Sequence, residues 1–202
     1  MRTLVFVIML FAFAANLAAQ EQTLFNDDTE KGGFGGPVVK LTSIRNQNAV
    51  MVGGRGGWII DHSLLLGGGG YAVASEVDAP EGALSFFEGP LDIEFAYFGF
   101  EMEYVVHPKS LGHFSFYTLI GGGAINYVKD VGPVTRSNEQ AGETNFVFVL
   151  EPAVNAELNV TTWFRLNAGA SYRLVTRVSQ PGLKDSDFNG MTATLTFKFG
   201  NF

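Results

Sequence analysis

The sequence predicts an all-β protein, an eight-stranded antiparallel up-and-down transmembrane β-barrel that follows a cleaved signal peptide. Three observations predict this fold class. The chain starts with an apolar export signal, eight later segments alternate apolar with polar residues, and the connections between them alternate between short and long. The 202 residues suit a single domain.

The first residues have the three parts of a secretory signal peptide. Arg2 supplies the positive charge, residues 4–15 form an unbroken apolar run, and Ala18 and Ala19 provide small residues for cleavage near Ala19. The run is shorter than the ~20 apolar residues that a transmembrane helix needs, and a buried N-terminal helix is the alternative. We therefore expect a signal peptide at 1–19, a periplasmic lead-in at 20–33 and the barrel at 34–202.

The composition restricts the class of protein further. The formal net charge is −7, or −8 once the single positive charge of Arg2 leaves with the signal peptide, so we expect no binding to nucleic acid. There is no cysteine, so an exported form must be stable without disulfides, which a closed sheet in lipid can be. The 25 glycines and 19 phenylalanines are typical of strongly curved β structure.

Period-two alternation bounded by turn residues predicts eight strands. Their predicted ranges are 34–44, 49–60, 63–75, 91–106, 111–128, 144–159, 162–178 and 191–201. After the first connection, 45–48, tight connections at 61–62, 107–110 and 160–161 alternate with long ones at 76–90, 129–143 and 179–189. Outer-membrane barrels have short periplasmic turns and longer external loops, so this parity favours such a barrel with both termini on the periplasmic side.

The predicted sixth strand indicates which face meets lipid. Its even positions are apolar from Phe146 to Leu158, whereas its odd positions include Glu151 and Glu157. At ~3.3 Å per residue and a tilt near 40°, the apolar face covers about 30 Å, enough for the apolar band of a membrane barrel. A soluble barrel would turn this face inward. Opposite charges on the polar face and aromatic residues near the strand ends favour the membrane orientation instead.

The polar face supplies a candidate lumen. With a hairpin turn near Thr161, Glu157 is expected opposite Arg165, and Glu151 opposite Ser171 with Arg173 diagonal to it. Side chains just fill the interior of an eight-stranded barrel, so opposite charges are expected to pair there and close it. The predicted lumen charge network consists of Lys40, Arg55, Glu101, Glu103, His113, Glu151, Glu157, Arg165 and Arg173.

Large aromatic residues near the strand ends predict a girdle at each membrane interface. The alternative is the ordinary enrichment of aromatic residues in strands. The candidate girdle residues are Trp58, Tyr104, Trp163 and Phe202 at the periplasmic end, and Tyr127 and Phe146 at the other end.

Three glycine-rich runs, 53–57, 67–70 and 121–123, do not match a phosphate-binding loop, because no GxGxxG spacing is complete and no Lys-Ser/Thr follows. We interpret them as sites of sharp curvature and close packing.

In the fourth strand the apolar positions change parity near Gly99. A β-bulge at 97–99 is expected to bring the apolar residues on both sides of it to one face.

The strands, the signal peptide, the loop parity and the terminal aromatic Phe202 together resemble the small bacterial outer-membrane β-barrels, a group that includes the OmpA transmembrane domain and OmpX. The resemblance covers the mature chain from about Phe34 and is architectural. It implies a bacterial outer-membrane location, contact with outer-membrane lipid, and insertion by the barrel-assembly machinery. The segment 197–202 looks like the C-terminal signal for that machinery, although Phe202 departs from the outward parity of the preceding aromatic residues.

No catalytic, cofactor-binding or metal site is expected. The predicted hairpin of the fourth and fifth strands places His113 opposite Glu103, and Ser115 opposite Glu101, a set similar in residue types to that of the lipid-A deacylase barrels. Those enzymes act on the outer leaflet, whereas this set lies at the periplasmic end, so we prefer a hydrogen-bonded lumen network. The acidic segment 185–187 lacks the ligand spacing of a calcium loop.

Three functions stay open at this stage. The first is an outer-membrane barrel with a largely closed, charge-paired lumen and a structural or surface-interaction role. The second is a narrow channel or a transport barrel for small apolar ligands, and the third is a soluble secreted lipocalin-like barrel. Under the first hypothesis a surface partner would bind the long loops 76–90, 129–143 and 179–189.

Overall fold

The structure, a computed structural model, describes residues 31–84, 89–129 and 140–202. The predicted signal peptide 1–19 and residues 20–30 lie outside the described residues, as do 85–88 and 130–139 of the predicted long loops. Eight antiparallel strands form one closed barrel in chain order, with the first strand paired to the last. They are β1 (Lys31–Ile44), β2 (Gln47–Ile60), β3 (Leu64–Val73), β4 (Leu91–Val106), β5 (Gly112–Lys129), β6 (Gln140–Asn159), β7 (Phe164–Thr176) and β8 (Gly190–Asn201).

Outside the strands, the described residues contain one further regular element. A short 3₁₀ helix, Asp185–Asp187, lies in the connection between β7 and β8. Among the described residues, no helix is long and apolar enough to cross a membrane.

The strand ends differ from the predicted ranges by three residues at the start of β1, by four at the start of β6, and by at most two elsewhere. β1 begins at Lys31, so residues 31–33 belong to the barrel and not to the lead-in. The first connection is a two-residue turn, Arg45–Asn46, rather than the predicted 45–48. Both turn residues have positive φ, 50° and 62°, the backbone that lets a tight hairpin follow the twist of its strands. β6 begins at Gln140 rather than at residue 144, because it pairs with the end of β5.

Connection lengths distinguish the two ends of the barrel. Connections 61–63, 107–111 and 160–163 are short and lie at what we call the short-turn end. The connections after β3, β5 and β7 are long, and the strand ends that they join lie at the same end of the barrel as the Arg45–Asn46 turn, which we call the long-loop end. The predicted alternation therefore holds from the second connection onward. Gly33 pairs with Asn201, which puts the start of β1 and the end of β8 at the short-turn end.

The β-bulge predicted at 97–99 is wrong. β4 pairs with β5 without a shift of register from Leu91 to Val106, and its odd-numbered side chains are buried in the interior along nearly the whole strand. The sequence pattern changes because the interior itself changes. In the long-loop half β4 contributes apolar side chains such as Phe95 to the interior, and in the short-turn half it contributes Glu101 and Glu103. On the outer face of β4, by contrast, the side chains stay apolar from Phe98 through Phe100 and Met102 to Tyr104.

The long-loop half of the interior is an apolar core. Phe95 and Phe188 are fully buried there, and their rings meet edge to face with centroids 5.0 Å apart. The connections 74–84 and 177–189, which we call the loop cap, fold over the barrel mouth and bury apolar side chains in this core. The buried cap residues are Val77, Leu84, Leu183 and Phe188.

Glycine allows close contact between β4 and β5, where Gly99 and Gly121 face each other in register. A Cβ atom built on Gly121 would lie 2.0 Å from the carbonyl oxygen of Phe98 and 2.5 Å from the Cα of Gly99. Real Cβ atoms do not approach backbone so closely, so a larger residue would force the two strands apart. The adjacent Gly122 has room, since its nearest contact would be the Val147 carbonyl oxygen at 3.4 Å.

Gly121→Ala is therefore expected to destabilise the barrel by about 1–3 kcal/mol, the usual cost of overpacking. Gly122→Ala is the matched control, and it is expected to stabilise the barrel by roughly 0.5 kcal/mol, since alanine loses less backbone entropy than glycine in a strand. Reversible denaturant unfolding in lipid vesicles measures both. Equal effects of the two substitutions would contradict the close contact at Gly121.

Candidate functional site: the barrel interior

The short-turn half of the interior concentrates buried charge. Among the described residues, five cationic side chains and four carboxylates are buried, together with one histidine. All eight strands except β3 and β5 contribute a charged group, and those two contribute Tyr71, Tyr117 and His113. The buried charged residues are Lys40, Arg55, Arg165, Arg173, Lys198, Glu101, Glu103, Glu151 and Glu157.

Lys198 of β8 lies at the centre of this cluster. Its Nζ donates to both carboxylate oxygens of Glu103 at 2.9 Å and also to Glu157. Glu103 accepts two further bonds, from Arg55 Nη2 at 3.0 Å and from Ser115 Oγ at 2.5 Å. One lysine thus holds together carboxylates from β4 and β6, and the 0% exposed side chains of Lys198 and both carboxylates place these pairs out of water.

Besides Lys198, Glu157 contacts polar groups from two other strands, β5 and β7. His113 Nε2 lies 3.0 Å from its carboxylate, Arg165 Nη1 donates at 3.1 Å, and Asn167 Nδ2 donates at 3.2 Å. In register Glu157 faces Asn167 and not Arg165, so the predicted pairing of Glu157 with Arg165 is diagonal rather than directly opposite. Because a carboxylate can accept about four bonds, the site satisfies Glu157 despite its burial.

Glu101 joins a second group of donors. Arg55 Nε donates to its Oε2 at 2.8 Å, and the hydroxyls of Tyr71 and Tyr117 each donate to its Oε1 at 2.7 Å. The Arg55 guanidinium also lies over the ring of Tyr117, 4.4 Å from the centroid. Arg55 therefore bridges the Glu101 group to Glu103 and the Lys198 pairs.

Glu151 lies nearer the middle of the barrel. Lys40 Nζ donates to its two oxygens at 2.9 and 2.8 Å, the hydroxyl of Tyr97 donates at 2.5 Å, and Ser171 Oγ donates at 2.6 Å. Lys40 Nζ also lies 3.6 Å from the ring centroid of Tyr71, which carries the network toward Glu101. Ser171 is in register with Ala153, so it reaches Glu151 diagonally and not from directly opposite.

Arg173 differs from the other buried cations. It was expected diagonal to Glu151, but its guanidinium points to the loop cap, where it donates to the carbonyl oxygens of Phe188 at 2.8 Å and Ser43 at 3.2 Å. Its Nη1 also lies 3.2 Å from Met51 Sδ. Within the part of the chain that the structure describes, Arg173 forms no ion pair with a carboxylate. It connects β7 to the cap and to the end of β1 through backbone acceptors.

The predicted Ser–His–Glu set does not assemble as expected. The β4–β5 hairpin places Val105 opposite Ser115 and Tyr117 opposite Glu103, so the pairing is displaced by four positions from the predicted partners. Ser115 Oγ donates to Glu103, whereas His113 contacts Glu157 through Nε2 and the Ser110 carbonyl oxygen through Nδ1 at 3.2 Å. The hydroxyl that would act as nucleophile is therefore bonded to a carboxylate and not to the imidazole.

Little space is left between the groups. A cavity of about 10 Å³ lies between the Glu151 group and the Arg55 group, with Asn155 and Asn167 among its polar lining residues. That volume is at the lower limit of what one water molecule needs, ~10–15 Å³. Among the described residues, no group of three or more His, Cys, Asp or Glu side chains could hold a metal ion.

The loop cap is tied to the strands by hydrogen bonds. The Tyr127 hydroxyl donates to the Pro181 carbonyl oxygen at 2.6 Å, and Asn145 Nδ2 donates to Ser179 Oγ at 2.7 Å. On the other side of the mouth Arg45 donates to the carbonyl oxygen of Asp78. The cap thus covers the long-loop end with apolar side chains inside and satisfied polar groups at its edges.

The girdle prediction is wrong for two residues. Tyr127 is fully buried, because odd-numbered positions of β5 face the interior and its hydroxyl reaches the cap. Phe202 turns inward at the short-turn end, where the Arg165 guanidinium lies over its ring at 4.0 Å. Its departure from the outward parity of β8 is the reason. The other four candidates are exposed on the outer wall: Trp58, Tyr104, Trp163 and Phe146.

Lys198 and three lumen tyrosines belong to the network but were not among its predicted members. Lys198 could have been found, since it alternates with the outward-facing Phe197 and Phe199 and must therefore face the interior. Tyr71, Tyr97 and Tyr117 were less accessible to sequence reasoning. Each has an apolar ring, so in the sequence pattern it counts as part of an apolar face. The structure shows that its hydroxyl donates to a carboxylate.

The described residues define a closed eight-stranded barrel with an apolar outer wall and an ionic interior in its short-turn half. This distribution is the inverse of a soluble protein and is that of a membrane β-barrel. Most of the exposed large apolar side chains lie on the strands, including Phe98, Phe100, Phe114 and Phe116. No family model matches the sequence, and no curated protein matches it.

Comparison with solved structures identifies the fold. Neisserial surface protein A aligns with a TM-score of 0.57 and 10% sequence identity, over 87% of this chain and 100% of that one. The N-terminal β-barrel domain of Pseudomonas aeruginosa OprF aligns at 0.48 with 11% identity, over 83% and 96%. Ail, the attachment invasion locus protein of Yersinia pestis, aligns at 0.45 with 11% identity, over 84% and 97%. The fold is that of the small eight-stranded outer-membrane β-barrels.

Proposed function

We propose that this protein is a bacterial outer-membrane β-barrel whose lumen is closed, and that it acts as a structural or surface-interaction protein and not as a pore or an enzyme. The short-turn end then faces the periplasm and the long loops face outward, as in other barrels of this kind. Insertion requires the barrel-assembly machinery, and the outer wall contacts outer-membrane lipid.

The occlusion of the interior at two levels carries this proposal. The ion pairs of Lys198 with Glu103 and Glu157 cross the short-turn half, since these residues come from β8, β4 and β6. Above them Phe95 and Phe188 fill the long-loop half. A diffusing ion would have to separate buried ion pairs and then cross an apolar layer, and both steps are costly.

The outer wall supports the membrane location. Trp58 and Trp163, near the short-turn end, are 74% and 58% exposed, as aromatic residues at a membrane interface are. A soluble lipocalin-like barrel would instead turn its largest apolar residues inward around a ligand cavity. The ionic short-turn half of this interior leaves no such cavity there, so the ligand-binding alternative is not favoured.

Any surface partner would meet the long-loop end, because loops held by a rigid barrel are where binding residues concentrate. The described parts of that end expose charged side chains of both signs, among them Glu76, Glu81, Arg177 and Lys184. Partner binding through loops 76–90, 129–143 and 179–189 is part of the proposal.

Cell fractionation, gel migration and conductance test the proposal together. We expect the protein in the outer-membrane fraction, a faster band in unboiled than in boiled samples, and no stable single-channel current from the purified barrel in planar bilayers. A soluble band without a heat shift would reject the membrane location. A heat-modifiable barrel with large, stable currents would reject the closed lumen and favour the channel alternative.

A further inference from the structure

A groove of about 720 Å³ crosses the outer wall of the barrel in its long-loop half. Its floor is a row of three alanines, Ala72, Ala96 and Ala124, which are paired in register across β3, β4 and β5. Phe146 pairs with Ala124 at the β6 end of this row, Phe98 is the next outward residue after Ala96 on β4, and both line the groove. The groove therefore combines small residues at its base with large aromatic walls.

The two walls stand unusually free of their neighbours. Phe98 is 73% exposed and Phe146 is 76% exposed. On the outer face Phe98 lies between Gly70 and Gly122, its register partners on β3 and β5, so it has no side-chain neighbour in its own row. An apolar ring left this open gains contacts only from a molecule outside the barrel.

The backbone does not require the hollow. A Cβ atom on Gly70 would meet nothing closer than 3.6 Å, and one on Gly122 nothing closer than 3.4 Å, which are ordinary van der Waals distances. Gly121 on the inner face is different, because close strand contact excludes any side chain there. Here the packing of the chain itself does not require glycine. A glycine of this kind within a strand is typical of a place where another molecule approaches the backbone closely.

The groove has no connection to the charged lumen. Tyr71 and Tyr97 form the part of its base between the rows, but their hydroxyls donate inward to Glu101 and Glu151. The groove consequently offers no free polar group from these side chains. Its occupant is apolar along the whole contact, which excludes a lipid headgroup or a polar peptide from this position.

We propose that this groove holds one acyl chain of a membrane lipid, in the leaflet nearer the long-loop end. The inference rests on the proposed membrane location, because the groove is continuous with the lipid-facing apolar band, with Phe100 and Phe148 next along the wall. From Val52 on β2 to Phe146 on β6 the row crosses four strand spacings, about 19 Å along the wall at ~4.8 Å each. Because the strands of such barrels tilt by about 40°, the row is inclined by about 50° to the membrane normal and spans about 12 Å of depth. A chain lying obliquely along it fits within one leaflet, about 15 Å of a ~30 Å hydrocarbon core.

The test is lipid retention by the full barrel. The protein is folded into vesicles of dimyristoyl phosphatidylcholine and phosphatidylglycerol, extracted into detergent, and examined by native mass spectrometry. We expect one retained phospholipid per barrel, of either headgroup. Ala96→Phe fills the floor of the groove and is expected to abolish this adduct. Ala193→Phe is the matched control, because Ala193 is an exposed alanine on the outer face of β8 outside the groove, and it should keep the adduct.

Each other outcome has a definite meaning. A folded, heat-modifiable barrel that retains no lipid, or that retains it equally after Ala96→Phe, overturns the acyl-chain inference but leaves the proposed membrane location intact. A dimer mass that disappears with Ala96→Phe overturns it in favour of a second copy in the groove. Failure of the wild-type chain to enter vesicles rejects the membrane proposal itself. Phe98→Ala, which removes one wall without filling the floor, is expected to weaken retention and guards against misfolding of Ala96→Phe.

Discussion

Lys198→Met is expected to lower the free energy of unfolding by about 3–5 kcal/mol, the cost of removing one partner from a buried ion pair. The ammonium group of Lys198 contacts Glu103 and Glu157 at once, and the side chains of all three residues are 0% exposed. Methionine has a similar shape but no charge, so two carboxylates would each lose a buried donor. Denaturant unfolding in vesicles, followed by the shift from the folded to the unfolded gel band, measures the change.

The matched control is Lys109→Met, the same substitution at an exposed position in the short turn 107–111. Surface substitutions of this kind usually change stability by less than about 0.5 kcal/mol. If Lys198→Met lowered the free energy of unfolding no more than the control does, then Arg55, Arg165 and His113 would be sufficient to compensate the charge of the two carboxylates. Lys198 would then not hold the network together.

Phe100→Arg is expected to destabilise the barrel by about 2–4 kcal/mol in a bilayer, because an arginine side chain near the middle of the membrane is poorly solvated. Phe100 lies on the outer face of β4, between Tyr104 toward the short-turn end and Ala96 toward the long loops. It is 56% exposed, so a soluble barrel would accept arginine there at little cost. The effect of the substitution on stability thus shows whether lipid or water surrounds this part of the outer wall.

Leu111→Arg provides the reference value. Leu111 is highly exposed in a short turn, where an added charge is at or beyond the membrane interface and costs ~0–1 kcal/mol. We expect the two variants to differ by at least about 1 kcal/mol in vesicles. A difference near zero would mean that water, and not hydrocarbon, surrounds the middle of β4.

The sequence predicted the strands and their faces well because alternation records both sides of a sheet at once. In β6 the even positions from Phe146 to Leu158 face outward and Glu151 and Glu157 face inward, as the pattern indicates. The same rule failed in β4, where Phe95 and Glu101 share the interior. Period-two alternation assigns residues to a face by polarity, and it cannot detect a face whose polarity changes along the strand.

Pairing was the harder problem. The β4–β5 hairpin was predicted four positions out of register at His113 and Ser115, because turn residues give the position of a turn less accurately than its existence. A shift by an even number of residues keeps each side chain on its face, so the charged residues still face the interior while their partners change. Tyr127 shares the inward parity of His113 and Ser115, and it was placed in the girdle because only its nearness to the strand end was considered.

The position of Lys198 has a consequence for assembly. Its partners lie 95 and 41 residues earlier in the chain, and the Lys40–Glu151 pair joins residues 111 apart. No single hairpin can neutralise Glu103 or Glu151, whose cationic partners lie on non-consecutive strands, so a half-formed sheet entering the membrane would carry uncompensated charge on its inner face. Contacts that distant form slowly, because a large loop must close before they stabilise anything. Charge neutralisation is therefore completed only when β8 arrives, and closure of the seam with β1 becomes the last and most cooperative event of folding.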